Sequence, residues 1–124
     1  MDATAATSEG ENLSRDISRS MVALFKEYVG RGPSHAQCYI NDDLVVVVMR
    51  DTMIAAERTL ADEGEEDLVR GVRRVFQSKF REDAMGVVER LTGKQVESFL
   101  SDHDVDRDIV IEAFVLRSEP EFSS

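Results

Sequence analysis

The chain has 124 residues, 42% hydrophobic and 32% charged, with a formal net charge of −10 and a pI near 4.6. That length fits one domain that can bury a core without staples, and the composition excludes a disordered chain. The acidic balance opposes binding to nucleic acid or to anionic membrane surfaces, and a single cysteine, Cys38, excludes an internal disulfide.

Residues 1–11 are small, polar and acidic and are expected to form a disordered tail. They have neither the basic nor the apolar region of a signal peptide. The longest apolar run, Leu44 to Met49, is far too short to cross a bilayer. A soluble, cytoplasmic protein without direct membrane insertion is therefore expected. Asn12 or Ser8 is the expected cap of a first helix. Leu13, Ile17, Met21, Leu24 and Tyr28 recur at steps of four or three and form its apolar stripe. Gly30 suits the residue after a helix end, and Pro33 keeps the helix from resuming.

Ala36, Cys38 and Ile40 alternate with His35, Gln37 and Tyr39, which predicts a strand. Asn41-Asp42-Asp43 has turn chemistry, and the run from Leu44 to Met49 is apolar on both faces. Residues 34–50 thus predict a hairpin. Val45, Val47 and Met49 present more apolar surface than one helix layer covers. They predict a second sheet or helix over them, and so a homodimer.

Asp51 or Thr52 is the expected cap of a short helix carrying Met53, Ile54 and Leu60, interrupted at Gly64. Glu65, Glu66 and Asp67 place negative charge where a helix N-terminus favours it. Val69, Val72, Phe76, Phe80, Ala84, Val87 and Leu91 then follow at helical spacing, widened by Val75, Met85 and Val88. The spacing predicts one helix of about 27 residues, near 40 Å long. Such a helix projects, bends at Gly86 or packs against a second subunit. Gly93 ends it. Gln95 to Ser101 and Asp108 to Leu116 are predicted strands, residues 102–107 their loop, and 118–124 a short tail. Met21 to Gly30 plus its hairpin parallels Ala84 to Gly93 plus its hairpin. The predicted architecture is α+β: two helix–hairpin units sharing a four-stranded antiparallel sheet, in one domain over residues 12–117.

Four groups of residues bear on chemistry. Gly30, Arg31, Gly32 and Pro33, with His35 nearby, can form an anion site from a nest of backbone N–H groups and a guanidinium fork. The same residues serve equally as a helix stop with a solvated arginine. Asp102, His103, Asp104, Asp106 and Asp108 resemble the start of a calcium loop, but no glycine stands at the sixth position and no glutamate at the twelfth. A solvated hairpin loop is the simpler reading. Arg70, Arg73, Arg74, Lys79, Arg81 and Arg90 give the long helix a basic side, balanced at helical offsets by Glu66, Asp67, Glu82, Asp83 and Glu89. His35, His103 and Cys38 form no dyad by spacing, and phosphate-loop, dinucleotide and zinc signatures are absent. No cofactor or metal is expected, and an enzyme is disfavoured.

Several of these stretches resemble one family. Glu27-Tyr28-Val29-Gly30-Arg31-Gly32-Pro33 before a strand, then Ile40-Asn41-Asp42-Asp43-Leu44, is similar to the MpsC family. Ala56-Glu57-Arg58-Thr59-Leu60, Val72-Arg73-Arg74-Val75-Phe76 and Leu91-Thr92-Gly93-Lys94-Gln95-Val96 agree, as does the closing strand. The resemblance spans about residues 13–117. One departure is Arg50-Asp51-Thr52-Met53, where the family often has Gly-x-Leu-Thr-Pro. The resemblance implies a small cytosolic protein linked to a sodium-translocating, membrane-potential-generating system, with relatives associated with inorganic-carbon transport. It implies no catalytic residue. The expected function is a non-enzymatic accessory module, a homodimer, of a membrane cation-translocating or bicarbonate-uptake system, with a membrane transporter subunit as a partner. The alternatives are a small-anion or nucleotide sensor built on the Gly-Arg-Gly-Pro turn, or an enzyme of unrecognised type.

Overall fold

A computed structural model describes the backbone of residues 3–118 and the side chains of residues 9–118. Helix α1 (Ala3–Val29) leads into the hairpin β1 (His35–Asn41) and β2 (Leu44–Arg50). Helices α2 (Ala55–Asp62) and α3 (Glu66–Thr92) follow, then the hairpin β3 (Val96–Asp104) and β4 (Ile109–Leu116). The strands form one four-stranded antiparallel sheet in the order β1-β2-β4-β3. The expected α+β fold, two helix–hairpin units on a shared sheet with a long helix in mid-chain, is the one observed.

The core lies between one face of the sheet and the two long helices. Ile17, Met21 and Phe25 of α1 and Phe80, Ala84 and Val88 of α3 pack against Val45, Val47, Met49, Phe99 and Phe114. Cys38 belongs to this core, and burial pushes its thiol up to about 11, so it stays protonated. Gly30 has φ 94° and Gly93 has φ 74°, the left-handed region that ends a helix cheaply. Gly32 serves differently: a Cβ there would lie 3.2 Å from Val22 Cγ1, so its smallness lets the turn close against α1.

Several expectations need correction. Helix α1 begins at Ala3, so Ser8 and Asn12 lie inside it and do not cap it, and the helix takes in most of the stretch expected as a tail. Of the expected tails, residues 1–2 and 119–124 lie outside the described residues. Neither Asp51 nor Thr52 caps α2; Ile54 is the cap residue, and its N–H donates to Glu57 Oε1 at 3.1 Å. Strand β3 runs on to Asp104, which places Asp102 and His103 in the sheet and not in a loop. Val72 and Val75, expected in the buried stripe of α3, are 50% and 83% exposed.

The largest correction concerns Val45, Val47 and Met49. All three are fully buried within the single chain, beneath α1 and α3. They leave nothing for a partner to cover. The open apolar surface is on the other face of the sheet, where Tyr39, Leu44, Leu100 and Ile111 stand exposed.

Candidate functional site

The site grows from the β3–β4 hairpin. Its register pairs His103 with Val110 and Ser101 with Glu112. Strand alternation turns these four toward the helices. Asp108 sits just before β4 at φ 52°, a left-handed position that aspartate tolerates better than most residues. That backbone brings its carboxylate back to the connection between β2 and α2. Oδ2 accepts from the Thr52 N–H at 2.7 Å and the Met53 N–H at 2.9 Å. Oδ1 accepts from the Thr52 hydroxyl at 2.8 Å and from His103 Nε2 at 2.9 Å. Arg58 adds an ion pair at 3.2 Å. Burial alone would raise the Asp108 pKa; the Met53 N–H, His103 and Thr52 outweigh it and keep the carboxyl below its usual range.

His103 is mostly buried, and desolvation drives its pKa below the ordinary value despite the pull of Asp108. It is therefore neutral at neutral pH. Its Nε2–H donates to Asp108, so Nδ1 carries the lone pair, and that atom is buried without a partner. Next to this pair lies a second one. Arg73 of α3 grips Glu57 of α2, with Nε 2.7 Å from Oε2 and Nη2 2.8 Å from Oε1. Burial raises the Glu57 pKa, but Arg73 overrides it and the net direction is down. Arg73 Nη2 also donates to Thr52 O at 3.3 Å, joining the two pairs.

Glu112 is the exception to this pattern of satisfied charge. It is 2% exposed, on the inner face of β4 among Val110, Phe114 and Leu116. Burial pushes its pKa up to about 8, so it is a neutral acid at neutral pH. Its Oε1 has no partner.

Glu112 and His103 both line a cavity of about 340 Å³. Phe25, Phe76 and Phe80 supply apolar wall, and Arg70, Arg73 and Arg74 line it from α3. The arrangement combines a neutral acid, a neutral imidazole and guanidinium groups around an apolar space. Such a mixture suits binding of a small polar-headed molecule. Among the described residues, no group of three or more His, Cys, Asp or Glu side chains could hold a metal ion. The aspartates of residues 102–108 are not a solvated set: Asp108 is buried in the cluster, and Asp104 accepts from the Arg107 N–H.

The turn singled out in the sequence lies elsewhere. Arg31 Nη1 donates to the carbonyls of Asp51 and Met53 at 2.8 and 2.9 Å, and Nη2 donates to Asp51 Oδ2 at 2.7 Å. Ser34 also donates to that carboxylate. The guanidinium is thus engaged with an anion of its own chain and ties the Gly30–Pro33 turn to the β2–α2 connection. The Arg31 bond, then Ser34, hold the Asp51 carboxyl down at about 2. His35 is exposed at the start of β1, and neither it nor Arg31 lines the cavity.

The sequence does not bring Glu57, Arg73, His103, Asp108 and Glu112 together; His103 and Asp108 enter it in the calcium-loop pattern, and Arg73 in the basic side of the long helix. One signal was present: Glu112 is the only charged residue in the inward alternation Val110, Glu112, Phe114, Leu116. The basic side of α3 is balanced only in part at helical offsets, by Arg70–Asp67 and Lys79–Asp83, whereas Arg73 reaches across to another helix.

A family model described as "Na+-translocating membrane potential-generating system (MpsC)" matches residues 9–118. No curated protein and no solved structure matches.

Proposed function

The chain belongs to the MpsC family, and we propose that it acts at the cytosolic face as a non-enzymatic accessory module of a Na+-translocating, membrane-potential-generating system. The family match over residues 9–118 carries this reading, because it spans the whole sheet, α3 and most of α1. No described helix is long and apolar enough to cross a membrane, which is consistent with a role beside the translocating subunits. The test is deletion of the gene in its own host, with membrane potential, Na+ extrusion and bicarbonate uptake measured. The reading expects a loss restored by the intact chain. Unchanged potential and unchanged extrusion would contradict it.

The module acts as a homodimer through the outer face of the sheet. One row across that face reads Tyr39, Val46, Ala113, Leu100, and the next reads Gln37, Val48, Ile111, Asp102. The face is four strands wide and seven residues long, about 19 by 24 Å at usual strand spacings. In flat projection that is about 460 Å², a little over half of the roughly 800 Å² per partner of a standard interface. Charges on it gather at one end, with Arg50 on the β1–β2 side and Asp102 and Asp104 on the β3 side. A two-fold axis along the strands lays one copy's basic side over the other's acidic side. A second copy is therefore a better fit than an unrelated surface. Sedimentation should find a dimer at micromolar concentration and a monomer for the double variant Leu100→Lys, Ile111→Lys. A monomeric parent, or a variant that still dimerises, overturns this.

A second functional reading rests on the His103–Asp108 pair. A neutral imidazole oriented by a buried carboxylate, with its other nitrogen free, has the form of a general base. A covalent or turnover signature abolished by His103→Gln would favour an enzyme over an accessory module.

A further inference from the structure

We infer that the inner cavity binds a small carboxylate with a planar apolar body and a hydroxyl at the end away from the charge. The inference is independent of the accessory role and rests on three features of the cavity.

The first is the unmatched pair on its floor. His103 Nδ1 and Glu112 Oε1 are both buried and both lack a partner. Leaving such atoms unmet costs about 1–3 kcal/mol each. They sit diagonally on neighbouring strands, with backbones about 7–8 Å apart, a gap that one small group can bridge. Their chemistry is complementary to a hydroxyl: the neutral imidazole nitrogen accepts the hydroxyl proton, and the neutral carboxylic acid donates to the hydroxyl oxygen.

A hydroxyl alone names no class of molecule, so the other two features decide it. The wall is aromatic. Phe25 and Phe80 meet edge to face at 5.3 Å between ring centroids, and the Arg73 guanidinium lies 5.6 Å over the Phe25 ring. Such a wall suits a flat apolar body and not a bare inorganic anion. The charge is the third feature. Arg73 spends Nε and Nη2 on Glu57 and Thr52, so its charge is largely used inside the protein. Arg70 holds Asp67 only at 3.7 Å, and that aspartate is fully exposed, while Arg74 has no ion pair among the described residues. One unpaired guanidinium, Arg74, and one loosely paired one, Arg70, thus line the cavity and are available to a carboxylate. At about 340 Å³, the cavity is at the small end of ligand sites, which fits a single-ring acid.

The experiment is calorimetric titration of the full chain with para-hydroxybenzoate, benzoate and para-hydroxybenzamide. Para-hydroxybenzoate should bind most tightly. Benzoate, which leaves the floor atoms unmet, should bind about tenfold more weakly. The amide, which lacks the charge, should also bind more weakly. The double variant Arg70→Gln, Arg74→Gln alters only side chains at the surface and should erase the preference for acid over amide. Glu112→Met, which has no donor to offer, should shrink the preference for the hydroxylated acid. No heat with any of the three at millimolar concentration overturns the inference. So does binding that ignores the hydroxyl and both variants.

Discussion

Two polar clusters meet at the short connection between β2 and α2, and they are built in different ways. On one side, Arg31 and Asp51 join a half-exposed guanidinium to a half-exposed carboxylate. On the other, Asp108 is buried, and it is held by two backbone N–H groups, a hydroxyl and an imidazole. The first is a clamp whose charges water could also satisfy. The second places charge where water does not reach, so each bond in it matters more. Glu112 carries that logic one step further, since with too few partners it gives up its charge. A conspicuous turn in the sequence thus marks a structural fastening, and the unspent chemistry lies in the buried cluster beside the cavity.

The sharpest way to break this contrast is to remove one carboxylate from each cluster. Asp108→Ala strands the Thr52 and Met53 amides and His103, and should cost about 3–5 kcal/mol in urea unfolding. Asp51→Ala should cost clearly less, and its effect should shrink further in high salt, because the pair is open to solvent. Equal losses would mean that burial does not separate the clusters.

A second way is through pH. The Glu112 pKa is raised in the folded chain to about 8 from an ordinary value near 4.5. Between those values the folded state keeps a proton that the unfolded chain has released. Stability from this group is therefore full below about 4.5 and is lost as pH rises toward 8. Glu112→Gln should remove that loss, leaving the variant more stable than the parent by on the order of a few kcal/mol above pH 8 and little changed near pH 5. Parallel stability curves for the two proteins would contradict the burial argument.

The smallest expected effect is at the clamp. Arg31→Lys keeps the charge but not the fork that holds two carbonyls and a carboxylate, so its thermal midpoint should fall only slightly. A fall as large as that of Asp108→Ala would move the weight of the account to the turn.

These differences also explain what could be read without coordinates. The helices and hairpins were legible because their signals are local: the stripe from Ile17 to Phe25, the alternation from Ala36 to Ile40, and glycines at 30 and 93 where φ is positive. Helix α1 starts earlier than its caps suggested because residues 3–11 include three alanines and no proline, and Gly10 alone does not stop a helix. The side of β2 that is covered could not be read, since Val45 to Met49 is apolar in both directions and only the packing of α1 and α3 chooses. The cluster was the least legible part. Thr52, Glu57, Arg73, His103 and Asp108 are spread over half the chain, and only the fold brings them together.

The most direct test of the central claim is the protonation state of Glu112 in the intact chain. It can be followed as the side-chain carboxyl carbon signal in an NMR titration, assigned by its loss in Glu112→Gln. The account predicts a neutral acid at neutral pH, titrating near 8. A signal that titrates with the exposed glutamates, near 4.5, would show a solvated carboxylate and remove the buried floor on which the cavity's chemistry depends.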